Sequence, residues 1–511
     1  MPVPSLSTQG IGYAVVCRLK VKSEMSLPAH AAAAGPIRMP RFNRMQDAAC
    51  VAFLLLLALA AWLPLLTKNP TPGGDEPGFV DPAATFARQG FLGTSLYLGQ
   101  LPGMERHVYW QPPIYFVSLG LWFKAFGVGL VQARLFSAAC GLVIVVCVYW
   151  LARLWASPRQ ALGVSALCAL SVWVGEGARV ARMDALCAAF VLLCAACYLQ
   201  ALRRTAPPAA YALAGVLAGL ALLTHPLGIV AIVTVLLHMA WRRRRGAEFA
   251  AVLAPLFLCL LGWLAYIGQD VGAFRAQMEA QAARRALYAE PPFWFWFFSS
   301  KLHVWTLAVL LGSGAWAAAQ RRQFRDGDFV VLLAFVTLTA ATYGRLSFYF
   351  LSFVPLFCIT LALCLQSTAA KRWAGWGLAL ALGIELAGLA RTTRHARSVD
   401  YSAVAASLRA AVPPGQSVFL SYSYLSPYFA LAGRNPLRVT APVPLPPGYS
   451  LDRVVAGCDY LAVPSPLIDT SLRHWITGKQ PVVSVAGGAL AVYRLPERVP
   501  DRRAAAPRHL P

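Results

Sequence analysis

The sequence predicts a polytopic α-helical membrane protein of about 11 transmembrane helices, with a small extracytoplasmic α/β domain at its C-terminal end. Three observations predict it. Hydrophobic residues fill 58% of the 511 positions and charged residues only 13%, whereas a soluble globular chain is roughly 45–50% apolar and about a quarter charged. Apolar runs recur along most of the chain, several reaching the roughly 20 residues a helix needs to cross hydrocarbon. The basic residues behind the net charge of +24 gather between those runs, at Arg203–Arg204, Arg242 to Arg245, Arg321–Arg322 with Arg325, and Lys371–Arg372. Charge placed that way belongs to cytoplasmic loops. Together with a mean hydropathy of +0.57, it argues against a nucleic-acid partner.

The runs read as spans at about Ala48–Leu66, Leu130–Leu151, Ala161–Val174, Ala185–Leu202, Ala209–Leu223, Pro226–Trp241 and Phe249–Ile267. Four more follow, at about Leu302–Ala319, Phe329–Tyr343, Ser347–Leu365 and Trp373–Ala390. Alternating them from an inside N-terminus puts Arg153, Arg159 and all four basic clusters on the cytoplasmic side. The Thr67–Gly129 loop, Glu176–Asp184, the Gln269–Lys301 loop and the C-terminal tail then lie outside. The sequence therefore divides into a disordered cytoplasmic N-terminus (1–45), a transmembrane domain (46–392) with its first outer loop at 67–129, and a soluble α/β domain (393–511). The first span has flanks like those of a signal peptide, but the many later runs favour a retained anchor.

Ten of the twelve cysteines lie in or beside apolar runs, Cys17 and Cys458 being the exceptions. They read as small polarizable packing residues, and no disulfide framework is implied. The tail alternates a helical stretch, Tyr401–Val412, with strand-like runs at Ser417–Leu420, Tyr460–Val463, Val482–Val485 and Ala489–Tyr493. Proline-rich turns separate them.

Ionisable residues at or inside a membrane are costly, so each is a candidate for function. Gly73-Gly74-Asp75-Glu76-Pro77 follows the first span on the outer face. Partial burial there suits a carboxylate to general-base work, although the same residues also read as a turn with a helix cap. In Glu176-Gly-Ala-Arg179-Val-Ala-Arg182-Met-Asp184 two arginines share a helical face and make a fork suited to phosphate. The plainer reading is a charged hairpin with Asp184 as N-cap. Tyr109-Trp110-Gln111-Pro112-Pro113-Ile114-Tyr115 opens an apolar helix too short to span, which reads as interfacial. Pro291–Phe298 is an aromatic run of the kind that anchors at headgroup depth. His225, Lys301, His303 and Arg345 fall at outer span ends, where anchors are commoner than ligands.

In this order, these pieces resemble the GT-C glycosyltransferases related to protein O-mannosyltransferases and to the bacterial aminoarabinose transferase group. Asp75-Glu76 with Phe86-Ala87-Arg88 is similar to that family's first-loop acidic motif. Gln111 to Tyr115, Phe126-Gly127 and Ala133-Arg134-Leu135 resemble its proline-pair segment, interfacial helix and following span. Ala178 to Leu186 is similar to its second acidic signature, and Gly344-Arg345 with Tyr349 and Pro355 to its late motif. Thr224-His225-Pro226 stands where relatives commonly carry a lysine, and Trp110-Gln111 where close relatives carry an acidic-basic pair.

The resemblance implies an inverting glycosyltransferase at the outer face of a bacterial inner membrane, with its tail periplasmic. A polyprenyl-phosphate-linked sugar would be the donor, a hydroxyl of a lipid, glycan or protein the acceptor, and membrane lipids the surroundings. Modification of lipopolysaccharide or another cell-envelope glycan is the implied setting. Asp75, Glu76 and Asp184 would be catalytic, and Arg88, Gln111, Tyr115, Arg179, Arg182, His225, Arg345 and Tyr349 would bind substrate. The cofactor set stays open between none and a divalent cation, with no metal ligands assigned. The competing class is a transporter or flippase for a lipid-linked saccharide, which would place charges mid-span; a third is a non-catalytic scaffold with a sugar-binding tail.

Overall fold

The computed structural model describes residues 43–94, 96–97, 101–203, 207–287, 327–344, 350–366, 371–396, 401–421, 428, 438–440, 451–464, 472–485 and 490–496. The expected eighth span, the aromatic run 291–298, Lys301, His303, Arg345 and Tyr349 lie outside them, as do residues 1–42.

Sustained apolar runs become helices. The first three spans and the loop between them give α1 (Arg44–Trp62), α2 (Glu76–Gln89), α3 (Ile114–Phe126), α4 (Leu130–Arg153), α5 (Pro158–Leu170) and α6 (Val172–Arg179). Then come α7 (Asp184–Arg203), α8 (Ala212–Thr224), α9 (Ile229–Trp241), α10 (Gly246–Ile267), α11 (Val271–Leu287), α12 (Gly327–Gly344), α13 (Phe350–Cys364) and α14 (Lys371–His395). By length and composition five of the described helices can cross a membrane, or six with α5 and α6 counted as one. Each expected span other than the third and the eighth coincides with a helix. Those at α8, α9, α12 and α13 are shorter than the roughly 20 residues of a straight crossing.

The helices alternate in direction, and their polar ends sort into two groups. At one end the Arg153 Nε donates to Asp47 Oδ1 at 2.7 Å and Arg203 Nη1 to the Leu154 carbonyl at 2.9 Å. There too Arg242 reaches Asp328 at 3.0 Å and Gln160 Nε2 the Leu365 carbonyl at 3.2 Å. Arg203 and Arg242, from two of the basic clusters, thus lie at this end. At the other end lie Asp75, Glu76, Arg134, Arg179 and Arg182.

The third span departs from expectation. It is not one helix over Ala161–Val174 but α5 and α6, bent by 57° at Ser171. Residues 176–179, expected in an outer loop, are the last turn of α6. A break in apolar surroundings frees backbone groups that something must satisfy. Trp62 Nε1 donates to the Ala169 carbonyl at 3.0 Å, and the Val172 amide donates to Glu385 Oε2 at 2.9 Å. Glu385, fully buried in α14, is thus a mid-span acidic side chain serving as a helix cap from a neighbouring helix.

The tail builds a five-stranded mixed sheet from β1 (Ser417–Leu420), β2 (Arg438–Thr440), β3 (Tyr460–Pro464), β4 (Val483–Val485) and β5 (Leu490–Arg494). Their order is β2-β1-β3-β5-β4, with β1 parallel to β2 and β3, and β5 antiparallel to β3 and β4. The helical stretch forms at Tyr401–Ala411. β2 had no strand-like signal in the sequence; it is three residues long and starts on an arginine.

Small residues let helices cross closely, as in other membrane proteins. A Cβ on Gly215 of α8 would lie 2.2 Å from the Val252 carbonyl oxygen of α10, whereas one on Gly262 would meet nothing within 4 Å. Gly215→Leu is therefore expected to destabilise the detergent-solubilised protein by about 1–3 kcal/mol through overpacking. Gly262→Leu should leave its thermal unfolding midpoint where the wild type has it.

Candidate functional site

The chain leaves α1 through a short 3₁₀ turn and enters a tight bend, where Gly73 and Gly74 take φ of 134° and 56°. Only glycine adopts such values without strain. The bend delivers Asp75 and Glu76 to the start of α2, and the two carboxylates take different partners.

Glu76 is buried at 2% exposure. Its Oε1 accepts from Arg134 Nε at 2.8 Å and from the Ala181 amide at 2.8 Å. Its Oε2 accepts from Arg134 Nη2 at 2.6 Å and from the Gly73 amide at 3.2 Å. The bidentate fork joins α2 to α4, and the Ala181 amide adds the connection between α6 and α7. Arg134 also donates from Nη1 to the carbonyls of Leu66 and Pro70, at 2.7 and 2.8 Å. The sequence reading grouped Glu76 with the catalytic carboxylates. With each oxygen accepting twice, its geometry is that of a staple holding the site together.

Asp75 occupies the N-cap position of α2 but does not cap it. Its Oδ2 accepts instead from Arg182 Nη1, and Arg182 Nε donates to Asp184 Oδ2 at 3.0 Å. One guanidinium thus bridges carboxylates 109 residues apart in the chain, at the N-termini of α2 and α7, where the helix dipole favours negative charge. Arg182 lies over the Phe79 ring at 5.2 Å, a cation–π contact strengthened by desolvation. Burial works against its charge, yet Asp184 and then Asp75 outweigh it and hold the guanidinium above its usual value.

Arg179, 1% exposed, donates from Nε to the Asn69 carbonyl at 2.8 Å. It therefore ties α6 to the chain leaving α1. His225 sits between α8 and α9, its Nδ1 accepting from the Leu227 amide at 2.9 Å, which assigns the ring proton to Nε2. Contacts of Cys194 and Cys187 with the Ala214 and Ala221 carbonyls, at 3.3 and 3.6 Å, run α7 and α8 antiparallel. That register brings His225 level with Met183 and Asp184. Tyr115, 1% exposed, presents its ring edge-on to Phe79 at 6.2 Å. Gln111 is partly exposed just before α3.

Arg88 is not brought to this cluster. It is exposed in the last turn of α2, about 20 Å along the helix from Asp75 at 1.5 Å per residue.

Three contributors were missed by the sequence reading as site residues: Arg134, Phe79 and Asn69. Arg134 had a signal, being an arginine in the second turn of an apolar span. The other two had none. A fourth contact fixes the tail: Asp81 of α2 accepts from Thr94 Oγ1 at 2.6 Å on one oxygen and from the Tyr428 hydroxyl on the other. Burial and then the Asp81 carboxylate push the Tyr428 phenol well up, so it remains a donor.

With this geometry in view, comparison with known proteins decides the fold. The family model described as dolichyl-phosphate-mannose-protein mannosyltransferase matches residues 110–266. ArnT from Cupriavidus metallidurans in the apo state superposes with a TM-score of 0.60 at 15% identity, over 87% of this chain and 97% of that one. The chain has the GT-C glycosyltransferase fold. ArnT bound to undecaprenyl phosphate matches this GT-C chain equally, with a TM-score of 0.60 at 14% identity over 87% and 98% of the two chains. The oligosaccharyltransferase of Archaeoglobus fulgidus in complex with Zn and sulfate matches with a TM-score of 0.55 at 12% identity, over 81% and 68%. No curated protein matches in sequence.

Removing one partner of the Glu76–Arg134 pair leaves a buried charge uncompensated. Arg134→Met should destabilise the protein by about 3–5 kcal/mol. Adding Glu76→Gln to it should recover part of that loss, as read by thermal unfolding of the two variants in detergent.

Proposed function

We propose that the protein is an inverting glycosyltransferase, moving a sugar from a polyprenyl-phosphate donor to a hydroxyl of a lipid, glycan or protein acceptor. The single observation that carries this reading is the Asp75–Arg182–Asp184 bridge at the end of the bundle opposite the basic clusters. Basic loops face the cytoplasm, so the reaction belongs at the outer face of the inner membrane, with the tail sheet on the periplasmic side.

In this reading Asp75 takes the proton of the acceptor hydroxyl. The hydroxyl oxygen attacks the anomeric carbon from the face opposite the phosphate, the bond from that carbon to the phosphate oxygen breaks, and the configuration inverts. The polyprenyl phosphate leaves with the bonding electrons. Fixed donors aimed at the departing charge stabilise it in a site that needs no reorganisation. That work is assigned to His225 Nε2 and, from the sequence pattern, to Arg345. Arg179 and Arg182, committed to Asn69 and to the two aspartates, set the geometry and the local positive field. Gln111 and Tyr115 are assigned to the substrate side through the α3 segment, and Tyr349 through the late motif. Undecaprenyl phosphate in ArnT supports a lipid-phosphate leaving group.

A divalent cation was the alternative cofactor, and the Archaeoglobus structure holds zinc. The residues here do not fit one. One oxygen of each of Asp75 and Asp184 accepts from Arg182, which stands between them, and among the described residues no third His, Cys, Asp or Glu joins them in a metal-binding group. No step is therefore routed through a metal.

Asp75→Asn keeps the volume and removes the base. The variant should insert and purify as the wild type does, while transfer from a polyprenyl-phosphate sugar, followed by mass spectrometry of envelope lipids and glycans, falls by about 10²–10⁴-fold. Wild-type turnover in that variant would exclude Asp75 as the base.

A further inference from the structure

We propose that Arg182 is the resident cation of this site, standing between Asp75 and Asp184 where a divalent metal would otherwise be held, so that the protein works without one. The role of the site in transfer rests on the function proposed above; the claim about the cation does not.

Asp75 and Asp184 begin different helices, yet both turn a carboxylate oxygen toward one side chain. Two carboxylates converging from separate elements are a common start for a divalent site, where oxygens close in to about 2.0–2.6 Å around the ion. Here the convergence point is filled by carbon and nitrogen. The Arg182 side chain is 7% exposed and is held from three directions. The Phe79 ring flanks its guanidinium at 5.2 Å, the Arg182 amide donates to the Val180 carbonyl at 2.8 Å, and the preceding Ala181 amide is fixed by Glu76. With its backbone fixed and its guanidinium packed on Phe79 and paired to both carboxylates, the side chain fills the point where an ion would sit.

Charge leads to the same conclusion. Glu76 and Arg134 pair with each other as a closed fork, and among the described ion pairs Arg182 is the cation that Asp75 and Asp184 share. Deleting the arginine would leave two like charges at close quarters, an arrangement that is relieved by taking up either protons or a cation. The guanidinium is therefore the group that denies the metal its place, and its removal should create a metal site.

The test uses the purified full chain and Mn²⁺ as the probe, followed by electron paramagnetic resonance. Wild type should show no Mn²⁺ binding that depends on Asp75. R182A should bind Mn²⁺ at least about tenfold more tightly than wild type, and R182A/D75N should lose that gain. If R182A does not fold, R182Q, which keeps polar contacts while removing the charge, is read against R182Q/D75N in the same way. Turnover of the wild type should stay within twofold after treatment with EDTA. Asp75-dependent Mn²⁺ binding by the wild type, no gain in the Arg182 variants, or loss of turnover on chelation with recovery on adding Mn²⁺ would each overturn the proposal. Since metal binding is read without any sugar donor, a failure to detect transfer would count against the proposed function and leave the binding result standing.

Discussion

Everything at the functional end of the bundle depends on the burial of the Glu76 carboxylate. A carboxylate taken out of water must find partners for all its lone pairs or destabilise the fold. Glu76 finds them on three separate pieces of chain: the glycine bend, the second turn of α4 and the backbone of the α6–α7 connection. Its neighbour Asp75 is thereby aimed, because adjacent residues at a helix start project in different directions. Arg182 is aimed by the same stroke, one residue beyond the amide that Glu76 holds. A residue that does no chemistry in the proposed reaction fixes the positions of those that do.

Much of the fold could be read from the chain. Long apolar runs became helices, because hydrophobic length is a local property and the backbone of an apolar segment has few alternatives. Strands β1 and β3 to β5 lie where alternating or continuous β-branched and aromatic residues suggested them. The bend at Ser171 was not legible. Ser171-Val-Trp-Val-Gly-Glu continues the apolar pattern, and what makes the bend tolerable is Glu385, more than 200 residues later, together with Trp62. β2 was invisible for a related reason, being held by its pairing to β1 rather than by its own composition.

The site was legible in part. Asp75, Arg179, Arg182, Asp184 and His225 were picked out because charge next to apolar runs is rare, and the fold gathers them at one end. The division of labour among them was not visible. Glu76 and Asp75 are neighbours of the same chemical type, and only their distant partners distinguish the holding carboxylate from the one proposed to react. Arg88 shows the opposite failure: a motif placed it near Asp75, while helix geometry carries it to the far end of α2.

Helix α2 has a mechanical side as well. Asp75 stands at its start, and Asp81, less than two turns along, accepts the Tyr428 hydroxyl of the tail. About 9 Å along the helix axis separates the two. The Tyr428 contact and the carboxylate proposed as the base therefore share one helix. Whatever tugs on Tyr428 also pulls on the helix whose start sets the aim of Asp75.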